Sequence, residues 1–131
     1  MLFRSGKGGT NYHAEAVEAA AASLAKAGLP ARLMVDCSHG NSNKDYRRQS
    51  EVAQQVAEQL RQGSGHVMGV MLESHLVEGN QPIQADRSQL TYGQSVTDAC
   101  IDLATTFEVL DVLAAAVRDS RAGKVLQPVL P

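Results

Sequence analysis

Polar and apolar positions divide the chain into alternating helical and extended stretches. Val17, Ala21 and Leu24 recur at the period of one helix face and predict a helix over 14–27. Gly28 and Pro30 then stop it. Beyond Arg32, residues 31–36 are nearly all apolar and predict a short strand buried on both faces. A polar loop, 40–44, follows. Val52, Val56 and Leu60 fall on one stripe and predict a second helix, from about Asp45 to Arg61, closed by Gly63 and Gly65. Residues 66–73 read as a second buried strand. The stretch 77–93, with Gly79-Asn80 and Pro82, reads as a long loop of the kind that usually carries function. A last helix is expected over 106–121. Thr105 and Glu108 have capping-box spacing, and Val109, Val112, Leu113, Ala116 and Val117 supply its apolar face. Residues 6–12 are too glycine-rich for a regular element, and 122–131 read as a frayed tail.

Alternating strands and helices imply an α/β fold with a parallel sheet. Two clear strands are too few for such a sheet to stand alone. The chain therefore reads as part of a larger α/β domain, such as the end of a (β/α)8 barrel. Composition points the same way. The 131 residues include no Trp, two Phe and three Tyr, little aromatic area for a self-sufficient core. A net charge of -2 gives no basic footprint for nucleic acid and no polybasic membrane patch. No apolar run approaches the roughly 20 residues of a membrane helix, and no signal-peptide pattern opens the chain. Cys37 and Cys100 lack zinc-type spacing and read as small packing residues in a reducing cytoplasm.

Both predicted strands end in polar tips. The first runs into Asp36-Cys37-Ser38-His39-Gly40, the second into Glu73-Ser74-His75. In α/β proteins the C-terminal end of a strand opens into the site. His39 there is a candidate metal ligand or general acid/base, or else a loop histidine bonded to backbone. Glu73 directly follows Val70-Met71-Leu72, where an unpaired carboxylate is costly, so it calls for a metal or a basic side chain. Asp98, before the last helix, is either a third ligand or a local turn carboxylate. Together the three could hold a divalent metal. No chemical role is expected for His13, His66 or His75, and Arg47-Arg48 reads as a solvated helix face. Gly6-Lys7-Gly8-Gly9 could approach a phosphate with its amides but matches neither the P-loop nor the dinucleotide fingerprint.

Three longer stretches carry a more specific signal: 34–49, from Met34-Val35-Asp36 to Arg48-Gln49; 73–81, Glu73-Ser74-His75 onward; and 92–100, Tyr92-Gly93-Gln94-Ser95-Val96-Thr97-Asp98-Ala99-Cys100. They resemble the class I DAHP (3-deoxy-7-phosphoheptulonate) synthases of the microbial branch. The likeness runs from about Gly6 to the last helix and includes Ala27-Gly28-Leu29-Pro30. It implies a (β/α)8 barrel that condenses phosphoenolpyruvate with erythrose 4-phosphate, the first step towards aromatic amino acids. This chain would be its C-terminal part, about strands 7 and 8 with their flanking helices, from a homo-oligomeric parent.

The resemblance also implies that His39, Glu73 and Asp98 are three of four ligands to a divalent Mn, Fe, Co or Zn. The fourth, a Cys on an early strand, matches neither Cys37 nor Cys100. His39 and Asp98 would also meet substrate. Arg4, in Arg4-Ser5-Gly6, is the nearest match to an Arg-Gly-Gly motif that grips the phosphoenolpyruvate carboxylate or phosphate. Residues 1–5 read as non-native, because Leu2-Phe3-Arg4-Ser5 is what a common sequencing adapter encodes in one frame. Lacking one ligand and most phosphate clamps, the chain alone is expected to be inactive. The alternatives are a non-catalytic α/β interaction module and a 3-deoxyoctulosonate 8-phosphate synthase-like enzyme. Asn43-Lys44-Asp45-Tyr46 and Tyr92-Gly93-Gln94-Ser95 favour the DAHP enzymes over the latter.

Overall fold

The computed structural model describes residues 1–5 and 9–125, so residues 6–8 of the glycine-rich run and 126–131 of the expected tail lie outside it. Three parallel strands form the main sheet in the order β1 (Leu2–Phe3), β2 (Leu33–Asp36), β3 (Val67–Met71). Helix α1 (Ala14–Lys26) connects β1 to β2, and α2 (Gln49–Arg61) connects β2 to β3. The expected α/β order is thus observed.

Register decides what the sheet does. Asp36 at the end of β2 lies opposite Met71 at the end of β3. The Cys37 amide donates to the Met71 carbonyl at 2.9 Å, which keeps the two strand ends level as they leave the sheet. The loops carrying His39 and Glu73 therefore start side by side.

One contiguous core lies behind these tips. Val17, Ala21 and Leu24 of α1 and Val52, Ala53 and Val56 of α2 join Leu33, Val35, Cys37, Ile101 and Val109. Of the helix stripes read from sequence, Val17, Ala21, Leu24, Val52, Val56, Val109 and Ala116 are buried, and Leu60, Val112, Leu113 and Val117 are half-buried. Burial of β3 was overestimated: Met68 is 60% exposed. Strand β3 has a neighbour on one side only, so nothing in the described residues covers its far edge.

Four further readings need correction. The stretch expected as a structureless loop over 77–93 contains β4 (Val77–Asn80), which pairs in parallel with β5 (Gln94–Ser95). The ribbon is mostly solvent-exposed and held by side chain-to-backbone bonds. Gln81 bonds both ways with the Thr91 backbone at 2.8 Å, and Gln94 donates to the Glu78 carbonyl at 2.8 Å. Second, Leu2 and Phe3, where the sequence predicts no element, form β1, paired to Met34 and Val35. Third, the second helix opens on a 3-10 turn, Tyr46–Arg48, capped by the Asp45 carboxylate.

Finally, α3 runs from Leu103 to Val125, earlier and longer than expected, so residues 122–125 are helix rather than frayed tail. Its cap is Asp102, which accepts from the Thr105 amide at 2.8 Å, rather than the Thr105–Glu108 box. That bond holds the Asp102 carboxyl below its ordinary range. Among the described residues no helix is long and apolar enough to cross a membrane.

Candidate metal centre

Past β2 the chain folds back sharply. The Asn41 and Ser42 amides both donate to the Ser38 carbonyl, and Lys44 closes onto His39. His39 has φ 47, in the left-handed region that costs a non-glycine residue about 1–2 kcal/mol. Asp36 holds it there. This carboxylate is 1% exposed; Oδ1 accepts from the Ser38 amide at 2.8 Å and Oδ2 from His39 Nδ1 at 2.9 Å. With Nδ1 occupied, His39 Nε2 faces Glu73 Oε1 at 3.5 Å and Asp98 Oδ2 at 3.9 Å.

Glu73 arrives from β3 equally constrained. The buried Gln49 side chain at the start of α2 takes both of its backbone groups, accepting from the Glu73 amide at 2.8 Å and donating to its carbonyl at 3.0 Å. Ser38 Oγ donates to Glu73 Oε2 at 3.0 Å. Asp98 follows the β4–β5 ribbon, where Asn80 anchors the Thr97 carbonyl at 2.8 Å and Cys100 bonds both ways to Gly79. It is the outermost of the three, with a side chain 71% exposed. The ribbon misread as a loop is thus what carries Asp98 to the centre.

One donor atom from each of His39, Glu73 and Asp98 lies within 4.8 Å of the others. An ion with bonds of about 2.0–2.2 Å holds adjacent ligand atoms about 3–3.5 Å apart, so a small inward movement closes the set. Imidazole plus two carboxylates suits a borderline divalent cation. Among the described residues, the ion-pair partner of both carboxylates is His39 alone. The donor set therefore fits a divalent metal better than a protein cation.

The centre opens into a cavity of about 340 Å³ lined also by Arg4, Ser5, Lys44 and Tyr46. Arg4 Nε lies 3.7 Å from Asp36 Oδ2, with its side chain 56% exposed. Gly40 lets the segment after β1 approach this closely, since a β-carbon there would fall 1.5 Å from Ser5 Oγ. The remaining histidines lie elsewhere. His66 bonds the Ala31 carbonyl, His75 accepts from the Leu76 amide, and His13 stacks near Tyr12. Sequence reasoning passed over Asp36, Ser38, Lys44 and Gln49. Asp36 was findable: it ends an apolar strand just as Glu73 does, three residues before His39.

Both cysteines are buried free thiols. Burial, with a smaller contribution from the Asp36 charge, pushes Cys37 up to about 12, far from the reactive range. The unfolded thiol titrates near its ordinary 9.0, so folding binds the proton more tightly. Stability from this group is full below pH 9 and falls as pH rises towards 12, by up to about 1.4 kcal/mol per unit. Urea midpoints measured across that window should fall with pH, and Cys37→Ala should flatten the trend.

This is an α/β protein whose strand tips bring one histidine and two carboxylates together beside a cavity, a donor set that could hold a divalent cation. Sequence comparison narrows the class. A model of the DAHP synthetase I family matches residues 1–111, and the chain belongs to that family. The tyrosine-inhibited phospho-2-dehydro-3-deoxyheptonate aldolase of Schizosaccharomyces pombe is 48% identical over 127 residues, covering 95% of this chain and 34% of that protein. The phospho-2-dehydro-3-deoxyheptonate aldolase of Corynebacterium glutamicum is also 48% identical, over 129 residues, with 94% of this chain and 34% of that protein covered. The solved phospho-2-dehydro-3-deoxyheptonate aldolase of Francisella tularensis superposes with a TM-score of 0.85 at 44% identity, covering 92% of this chain and 34% of that one. The chain spans about a third of the length of the curated relatives it matches.

Proposed function

We propose that this chain is the metal-bearing part of a DAHP synthase. The whole enzyme would join phosphoenolpyruvate to erythrose 4-phosphate, releasing phosphate, at the head of aromatic amino acid synthesis. The observation that carries the reading is the convergence of His39, Glu73 and Asp98 at level strand ends, in a chain of this family. The three parallel strands are read as staves of a (β/α)8 barrel, its C-terminal portion by the motifs they carry, with the remaining staves on chain outside this sequence. The parent is read as a cytoplasmic homo-oligomer, in keeping with two free thiols.

In this reading His39, Glu73 and Asp98 hold a divalent Mn, Fe, Co or Zn, with a cysteine from the rest of the barrel as fourth ligand. When bound, the metal supplies Lewis-acid polarisation of the aldehyde oxygen. The chain's own residues hold and frame this part of the site. Ser38 and Gln49 keep Glu73 in place, and Asp98, the most exposed carboxylate, meets the incoming aldose as well as the ion. Arg4 offers a guanidinium fork to the phosphoenolpyruvate carboxylate or phosphate, and Lys44 a second positive charge at the rim. Carbon 3 of phosphoenolpyruvate bonds to the aldehyde carbon, water adds at carbon 2, and the carbon–oxygen bond to phosphate breaks.

Two assays test this. The 131-residue chain alone should form no heptulosonate. A chimera in which this chain replaces the matching third of the Schizosaccharomyces pombe relative should form it in a metal-dependent way. A folded, metal-loaded chimera that releases no phosphate from the two substrates would rule the assignment out.

A further inference from the structure

We infer that Asp36 is a positioning residue for the metal centre: it fixes His39 with its proton on Nδ1, so that Nε2 turns a lone pair towards Glu73 and Asp98. The inference rests on the metal reading above and adds a residue that acts through His39.

The geometry separates two jobs within one carboxylate. Oδ1 accepts from the Ser38 amide at 2.8 Å, a local turn bond that many Asp residues make on the way out of a strand. Oδ2 is committed elsewhere, to the imidazole at 2.9 Å. An ionised carboxylate only accepts hydrogen bonds, so the ring nitrogen facing it must donate. Nε2 is then left without a proton, as a metal ligand requires. The opposite tautomer would point an N–H at Glu73 and Asp98, pairing with them while closing the site to a cation. Asp36 cannot swing away, because it is 1% exposed and its own carbonyl is gripped by Asn41 Nδ2 at 2.8 Å.

The variant Asp36→Asn separates the roles. Its amide oxygen can keep the Ser38 turn bond, but its NH2 then faces His39 and drives the proton to Nε2. The test combines two readouts on the 131-residue chain. Nitrogen-15 NMR of the imidazole at mildly alkaline pH gives the tautomer without metal. Titration with Mn2+ or Co2+ gives affinity. The wild-type ring should be Nδ1-protonated. In D36N the Nε2-protonated form should rise and metal affinity fall by about 10- to 100-fold, the range for outer ligand-orienting partners. A wild-type ring protonated on Nε2 would overturn the inference, and that result needs no variant to fold. So would a folded D36N with tautomer and affinity unchanged. The expected tautomer in the wild-type chain, with no metal uptake by the chimera that supplies the fourth ligand, would instead strike the metal reading, leaving Asp36's hold on His39 supported.

Discussion

The double variant His39→Ala, Glu73→Ala should lose metal affinity by well over 100-fold, more than outer-shell changes cost. Each wild-type side chain meets the centre already held. His39 is fixed by Asp36, and Glu73 by Ser38 and Gln49, so little side-chain freedom remains to be lost when a cation binds. Removing them also removes the two least exposed donors, at 28% and 21%, leaving Asp98 alone at 71%. A single exposed carboxylate binds a hydrated divalent ion only weakly. The singles should rank accordingly, with His39→Ala and Glu73→Ala severe and Asp98→Asn mildest in binding. In the chimera Asp98→Asn should still depress turnover, because that carboxylate also faces the cavity. Calorimetric titration with Mn2+ measures the first effect and phosphate release the second. Undiminished binding by the double variant, with helix content retained, would place the metal elsewhere.

How much of this was legible beforehand follows from where each residue's partner lies. The tips at His39 and Glu73 announced themselves, because apolar runs stopping abruptly at polar residues are local patterns. Helices α1 and α2 were equally local, and their stripes Val17-Ala21-Leu24 and Val52-Val56 are buried. Strand β1 has only two residues, too few to show a period. The β4–β5 ribbon lacked alternation, since Val77-Glu78-Gly79-Asn80 has one apolar side chain, and its stability comes from Gln81 and Gln94 reaching distant backbone. Thr105 and Glu108 had the right spacing for a cap, but Asp102 reaches the Thr105 amide first. Nor did spacing reveal Gln49, because what it holds lies 24 residues away.

Gln49→Leu should cost about 1–3 kcal/mol, a sizeable share of the 5–15 kcal/mol that holds a domain together. Gln49 is fully buried, and its amide occupies both backbone groups of Glu73 as a neighbouring strand would. Leucine has nearly the same volume, so the cavity penalty is small. The loss comes from the Glu73 N–H stripped of its partner, worth about 1–3 kcal/mol, whereas the Glu73 carbonyl keeps the Ile101 amide at 3.0 Å. Gln49→Glu should cost more than Gln49→Leu, because it places an unpaired charge in a fully buried site. Its carboxylate can accept from the Glu73 amide but faces the carbonyl without a donor. The urea midpoint should drop at an unchanged slope, which would show that the folded state has lost stability without the unfolded state changing in compactness. Metal affinity should fall as well, since Glu73 would leave the strand end less firmly held. A Gln49→Leu chain within about 0.5 kcal/mol of wild type would mean that the strand end is carried by the β2–β3 ladder alone, a result at odds with unsatisfied buried backbone groups being costly.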